Sequence, residues 1–107
     1  MNLVRLFNNN SEEIVIKQYM NPFPTLKEVE DSEDSKRVLF KILENTLELG
    51  ISKYERIYEK EPDFIELNED VWDQLAKKGT ICSRLYHDDI ELKKNKDVPY
   101  NFIYFRY

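Results

Sequence analysis

The chain has few of the residues on which many active sites depend: one Cys, one His and two Gly among 107 residues. A single thiol, Cys82, cannot form an internal disulfide or a multi-cysteine zinc site. Two glycines cannot supply a Gly-rich loop that cradles phosphate. Cys82 has no activating base beside it in the sequence, and neither Ser11 nor Ser83 stands in a nucleophile motif. We therefore expect a small, buried Cys82, no cofactor and no enzyme chemistry.

Long apolar runs are absent as well. The apolar run at the N-terminus is too short for a secretory signal and meets a charge at Arg5. No stretch approaches the length of a membrane span. These absences predict a cytoplasmic protein without membrane contact, in which the thiol stays reduced.

Aromatic and charged side chains are abundant instead. Seven Tyr, six Phe and one Trp make up 13% of the chain, which indicates a packed core rather than disorder. The length suits one domain, residues 1–107. The net charge is −5, and residues 26–70 hold fourteen acidic against seven basic side chains. A field of that sign repels phosphate backbones, so direct nucleic-acid binding is disfavoured.

The clearest pattern is an apolar stripe at helical spacing that begins near Ser35 and ends before Pro62. Gly50 interrupts it, and Ser52 with Glu55 has the spacing of a second helix start. The stripe nevertheless keeps its phase across Gly50. We therefore predict one continuous or slightly kinked helix.

Shorter patterns predict the other elements. Thr25 and Glu28 have capping-box spacing for a short helical turn, and Glu28–Asp34 reads as an acidic connector. Asn68 is expected to cap a helix over Glu69–Lys78. The β-type runs are Leu3–Phe7, Glu13–Tyr19, Asp63–Leu67, Thr80–Tyr86, Asp89–Leu92 and Tyr100–Tyr107. The first two of these runs are expected to pair as a hairpin.

These elements together predict an α+β fold, in which a small, mainly antiparallel sheet packs against one long helix and one short helix. The short helix presents Trp72 and Leu75, and the long helix presents Leu43 and Leu47. We expect these four side chains to share one core.

His87, Asp88 and Asp89 place the only imidazole beside two carboxylates. Such a group could hold a metal ion or act as a general base. Adjacent residues on an extended chain point to opposite faces, which argues against convergence on one ion. A polar hairpin turn is therefore the preferred interpretation.

Carboxylates also line the long helix. Glu44, Glu48 and Glu55 are candidate partner-binding residues on its charged face. Rows of carboxylates can imitate DNA phosphates, so a DNA-mimic inhibitor of a nucleic-acid enzyme is an alternative. Basic residues interspersed in the same region dilute that field and favour an ordinary solvated face.

The C-terminal run from Tyr100 to Tyr107 is rich in aromatic side chains. It could stack on bases beside the cations Lys93, Lys94, Lys96 and Arg106. The acidic total favours an amphipathic strand with one face in the core. An exposed Tyr row on a terminal strand, which could lie at the sheet edge, would suit a protein interface, and Tyr104 and Tyr107 are the candidates.

Three segments between residues 61 and 105 carry a resemblance to known proteins. They read E-P-D-F-I-E-L-N-E-D-V-W-D-Q-L from Glu61, L-Y-H-D-D-I-E-L from Leu85 and V-P-Y-N-F-I-Y-F from Val98. This order resembles small phage and prophage proteins, and it is similar to the peripheral part of phage capsid-type folds. His87 departs from the Gly usual at that turn. The resemblance implies a viral or prophage origin and a binding or structural role, and it carries over no functional residue.

The sequence thus predicts a non-enzymatic, acidic interaction protein of a phage or mobile element, which binds a host or viral protein as an inhibitor or adaptor. One alternative is a structural or assembly subunit of a virion, which would self-associate. The other is the DNA mimic. A small enzyme or metal protein centred on His87 with nearby carboxylates is a further hypothesis.

Overall fold

A computed structural model describes residues 15–79 and 84–107. The predicted strand over Leu3–Phe7, its hairpin, most of the run Thr80–Tyr86, and Ser11, Cys82 and Ser83 lie outside the described residues. The described strands are β1 Val15–Tyr19, β2 Phe64–Leu67, β3 Leu85–His87, β4 Ile90–Lys94 and β5 Phe102–Arg106, and the helices are α1 Leu26–Asp31, α2 Glu33–Tyr58 and α3 Glu69–Gly79.

The described strands form one sheet in the order β1-β5-β2-β4-β3. Three of its four strand pairs are antiparallel, and only β2 and β4 run parallel. With α2 as the long helix, this architecture confirms the predicted α+β fold. No helix in the described part of the chain is long and apolar enough to cross a membrane.

The C-terminal strand β5 lies inside the sheet, between β1 and β2, so the expectation that it could be an edge strand is wrong. Ile103 and Phe105 point into the core, whereas Phe102, Tyr104 and Arg106 point to the other face. Apolar or aromatic groups on both faces and partners on both sides suit an inner strand. The position of a strand in the sequence does not determine its neighbours in the sheet, so the sequence alone could not place β5 between β1 and β2.

The predicted capping box at the start of α1 is confirmed. The Thr25 hydroxyl accepts a hydrogen bond from the Glu28 amide at 3.1 Å, and the Glu28 carboxylate accepts one from the Thr25 amide at 2.8 Å. Ser32 caps α2 by accepting from the Ser35 amide at 3.3 Å. The segment Glu28–Asp34 is therefore mostly helical rather than a connector, because each serine or threonine supplies a local helix start.

Helix α2 is continuous across Gly50, as predicted. Gly50 is buried where the helix crosses β5, and a β-carbon there would overlap the Phe105 ring, only 2.7 Å from Cε2. The glycine thus lets helix and sheet approach closely, and it does not end the helix. The helix ends at Tyr58, where Glu59 adopts a left-handed conformation.

The core lies on the face of the sheet that meets α2 and α3. Leu43, Leu47 and Trp72 are buried in one cluster, and the partly buried Leu75 packs against it, which confirms the predicted core. The Trp72 indole donates a hydrogen bond to the Leu92 carbonyl at 2.7 Å, so its polar atom is satisfied inside.

The predicted cap of α3 is also confirmed. The Asn68 side-chain oxygen accepts hydrogen bonds from the Asp70 amide at 2.8 Å and the Val71 amide at 3.4 Å. The side-chain amide of Asn68 donates to the Val98 carbonyl at 3.0 Å. One residue therefore starts the helix and ties it to the segment that leads into β5.

Candidate functional site

A two-residue turn joins β3 to β4 and orients the only histidine of the chain. Asp88 and Asp89 both have positive φ, 50° and 69°, as a tight type I′ hairpin requires. Asp and Asn tolerate that region better than most residues. The predicted hairpin turn at this point is confirmed.

His87 lies on the inner side of the sheet, because it pairs with the buried Ile90 across the hairpin. Its ring reaches helix α2, where Nε2 lies 2.6 Å from Oε2 of Glu48. The same nitrogen lies 3.6 Å from Oδ2 of Asp88. Residues 39 positions apart in the chain thus meet at one point.

Glu48, His87 and Asp88 form a cluster whose ligand atoms all lie within 4.8 Å of one another. Asp89 is not part of this cluster, in line with the expectation that His87, Asp88 and Asp89 do not all converge. His87 and Asp88 nevertheless come together, because the left-handed turn redirects the Asp88 carboxylate. The His87 side chain is 17% exposed, whereas those of Glu48 and Asp88 are 57% and 63% exposed. The imidazole is therefore held by packing, and both carboxylates retain contact with water.

His87 also lines a groove between the edge of the sheet and the helices. The groove has a volume of about 300 Å³. Most of its lining is aliphatic, and Glu44 and His87 supply polar groups. The described residues thus leave the core incompletely closed beside the cluster.

The structure places the sequence-predicted partner residues on two separate surfaces. Glu44, Glu48 and Glu55 are exposed on one flank of α2, within an arc of about 40° at 3.6 residues per turn. Tyr104 and Tyr107 belong instead to β5 and the residue that follows it. The two sets do not form one site.

The face of the sheet opposite the core carries the second surface. We call it the open face, because no helix among the described residues packs on it: α2 and α3 contribute to the core on the other side, and α1 packs on α2. Its aromatic side chains, assigned from strand alternation and register, are Tyr19, Phe64, Tyr86, Phe102 and Tyr104. Tyr19 and Tyr86 are 49% and 55% exposed, so both rings are accessible at the surface.

Cations lie over these rings. Lys17 Nζ is 5.0 Å from the centre of the Tyr104 ring, and Lys93 Nζ is 4.3 Å from that of Phe64. Arg106 approaches the Tyr104 ring at 5.7 Å and is paired with Glu66. These cation–π contacts hold the lysine and arginine side chains against the aromatic rings.

Tyr107 stands apart from the open face. It is exposed, and Lys60 Nζ lies 3.6 Å from the centre of its ring. The contact joins the chain beyond β5 to the segment after α2 and leaves Tyr107 away from Tyr19 and Tyr86.

Of the five aromatic residues on the open face, only Tyr104 was a sequence-based candidate, and Tyr19, Phe64, Tyr86 and Phe102 were missed. Each alternates with buried or partly buried neighbours along its own strand, which was the available signal. Their assembly into one surface depends on β5 lying between β1 and β2, and only the folded chain shows that.

Comparison with protein-family models, curated proteins and solved structures yields no match to this chain.

Proposed function

We propose that this chain is a non-enzymatic binding protein that recognises another protein through the open face. The observation that carries the proposal is the concentration of five aromatic side chains on a sheet face outside the core. Tyr and Arg are enriched at protein interfaces, where a ring contributes large contact area at little conformational cost.

The charges of the open face favour a protein over a nucleic acid as the partner. Alternation and register assign it Lys17, Lys93 and Arg106 together with Glu66 and Glu91. Arg106 is paired with Glu66, and the whole chain carries a net charge of −5. A phosphate backbone needs a surface dominated by cations, whereas mixed signs suit the polar groups of a protein.

The proposal includes an origin in a phage or mobile element. Its support is the resemblance of residues 61–105 to small phage and prophage proteins. An inhibitor or adaptor of a host or viral protein is the activity that such an origin favours.

The test is comparative capture from nuclease-treated lysate of the natural host. The wild-type chain is compared with a variant of the open face, Lys17→Glu with Tyr19→Ser, and with a variant of the acidic flank, Glu44→Lys with Glu55→Lys. All four positions are exposed, so both variants should retain the fold. Circular dichroism and melting temperature check that they do.

We expect a stoichiometric protein partner that the wild type and the flank variant retain and the open-face variant loses. Loss in the flank variant alone would overturn the proposal and assign binding to the acidic flank, as a DNA mimic would require. Retained nucleic acid in untreated lysate, released by the open-face variant, would also overturn it.

Self-association is the competing use of the same face. Sedimentation at several concentrations measures it directly. A wild-type oligomer that the open-face variant dissociates would favour the assembly subunit over the adaptor. A monomer at all concentrations would leave the face to a different protein.

A further inference from the structure

The cluster of Glu48, His87 and Asp88 brings two carboxylates to one imidazole, although an ion pair needs only one carboxylate. His87 Nε2 lies 2.6 Å from Oε2 of Glu48, within hydrogen-bond distance, and one such contact would satisfy the nitrogen. Oδ2 of Asp88 lies 3.6 Å from the same nitrogen, beyond ordinary hydrogen-bond distance. Two carboxylates therefore converge on one imidazole nitrogen from different elements of the fold.

We propose that Glu48, His87 and Asp88 bind a divalent transition-metal ion, with Zn²⁺ as the best fit. One imidazole nitrogen and two carboxylate oxygens are ordinary zinc ligands. Mg²⁺ and Ca²⁺ prefer oxygen ligands alone, so the imidazole selects against them. Three protein ligands leave a fourth tetrahedral position for water or an external group.

The distances are compatible with that geometry after a small movement. Zinc bonds of about 2.0–2.1 Å place tetrahedral ligand atoms about 3.3 Å apart. The Glu48 oxygen must therefore retreat from His87 by less than about 1 Å, while Asp88 already lies at 3.6 Å. The two carboxylate oxygens lie within 4.8 Å of each other and must approach by up to about 1.5 Å. Both carboxylates are more than half exposed, so they can adjust by side-chain rotation.

The fold holds the three ligands for reasons independent of a metal. The type I′ turn directs Asp88, strand pairing directs His87 inward, and α2 supplies Glu48. A bound ion would join the β3–β4 hairpin to the long helix. This function is separate from recognition at the open face.

Calorimetric titration of the tag-free, full-length chain with Zn²⁺ near pH 7 tests the proposal. We expect one ion per chain and a rise in melting temperature, because the ligands come together only in the folded state. Mg²⁺ at the same concentrations should give neither effect.

Variants identify the ligands. His87→Asn and Glu48→Gln should each lower the Zn²⁺ affinity by about tenfold or more. Glu44→Gln, one turn earlier on the same helix, is the matched control and should stay within about twofold of the wild type. Cys82→Ser should also leave the affinity unchanged, which separates this cluster from binding by the thiol.

Three results would overturn the assignment. These are no Zn²⁺ binding by the wild type, loss of binding in Cys82→Ser, or equal affinities for Glu48→Gln and Glu44→Gln. Since Glu48 is exposed on a helix, its variant remains informative even if a change at His87 disturbs the hairpin.

Discussion

Replacing Gly50 with alanine has two opposing effects on the free energy of unfolding, a gain in helix propensity and a steric clash in the core. In an exposed helix interior, Gly→Ala stabilises by about 1 kcal/mol because alanine has the higher helix propensity. Gly50, however, is buried against Phe105, itself fully buried. The sign of the change therefore reports which effect dominates.

The structure favours the steric effect. A new β-carbon would lie 2.7 Å from Cε2 of Phe105 and closer still to two other ring atoms. Carbon atoms in contact normally lie about 3.5–4.0 Å apart, so the ring or the helix must move by more than about 1 Å. Such overpacking costs about 1–3 kcal/mol. With contacts this close we take the upper part of that range and expect a net loss of about 1–2 kcal/mol.

Urea denaturation followed by circular dichroism measures the change, with Ser52→Ala on the exposed side of α2 as the matched control. A double-mutant cycle sharpens the test: Gly50→Ala should cost less in a Phe105→Leu background, because the smaller side chain leaves room for the methyl group. If Gly50→Ala stabilised the wild type as an exposed site would, the close approach of helix and sheet would be refuted.

The core allows three further predictions. Trp72→Ala should lower the free energy of unfolding by about 3–5 kcal/mol, since it removes a buried ring and the hydrogen bond to Leu92; a nearly unchanged urea midpoint would contradict the packing described. Tyr54→Phe should stabilise the protein by about 1 kcal/mol, because the buried hydroxyl has no hydrogen-bond partner among the described residues. Burial raises the pKa of Tyr54 to about 12, so the folded state keeps a proton that the unfolded state loses near pH 10, and stability should fall between pH 10 and 12. That fall should be smaller in Tyr54→Phe but not abolished, because burial also raises the pKa of Tyr100 to about 12, and an identical fall would refute the assignment to Tyr54.

Local sequence patterns predicted most of the secondary structure. The caps at Thr25 and Asn68 act through hydrogen bonds that span two or three residues, so adjacent residues were sufficient to identify them. The phase of the apolar stripe likewise predicted an uninterrupted α2, because core-facing side chains recur with the helical period. The prediction of a connector over Glu28–Asp34 was wrong, because it rested on the acidic composition and overlooked Ser32 as the cap of a second helix.

Tertiary structure decided how those elements meet. Glu48 and His87 lie 39 residues apart in the chain, and a pattern along either element alone does not show that they touch. The open face likewise required β5 to enter the sheet between β1 and β2. Gly50 illustrates both levels, since its helical state follows from local periodicity whereas its need to be glycine comes from the Phe105 ring. Helical periodicity and capping depend on residues close together in the sequence. Strand order and side-chain contacts depend instead on which apolar surfaces, distant in the sequence, pack together and leave water.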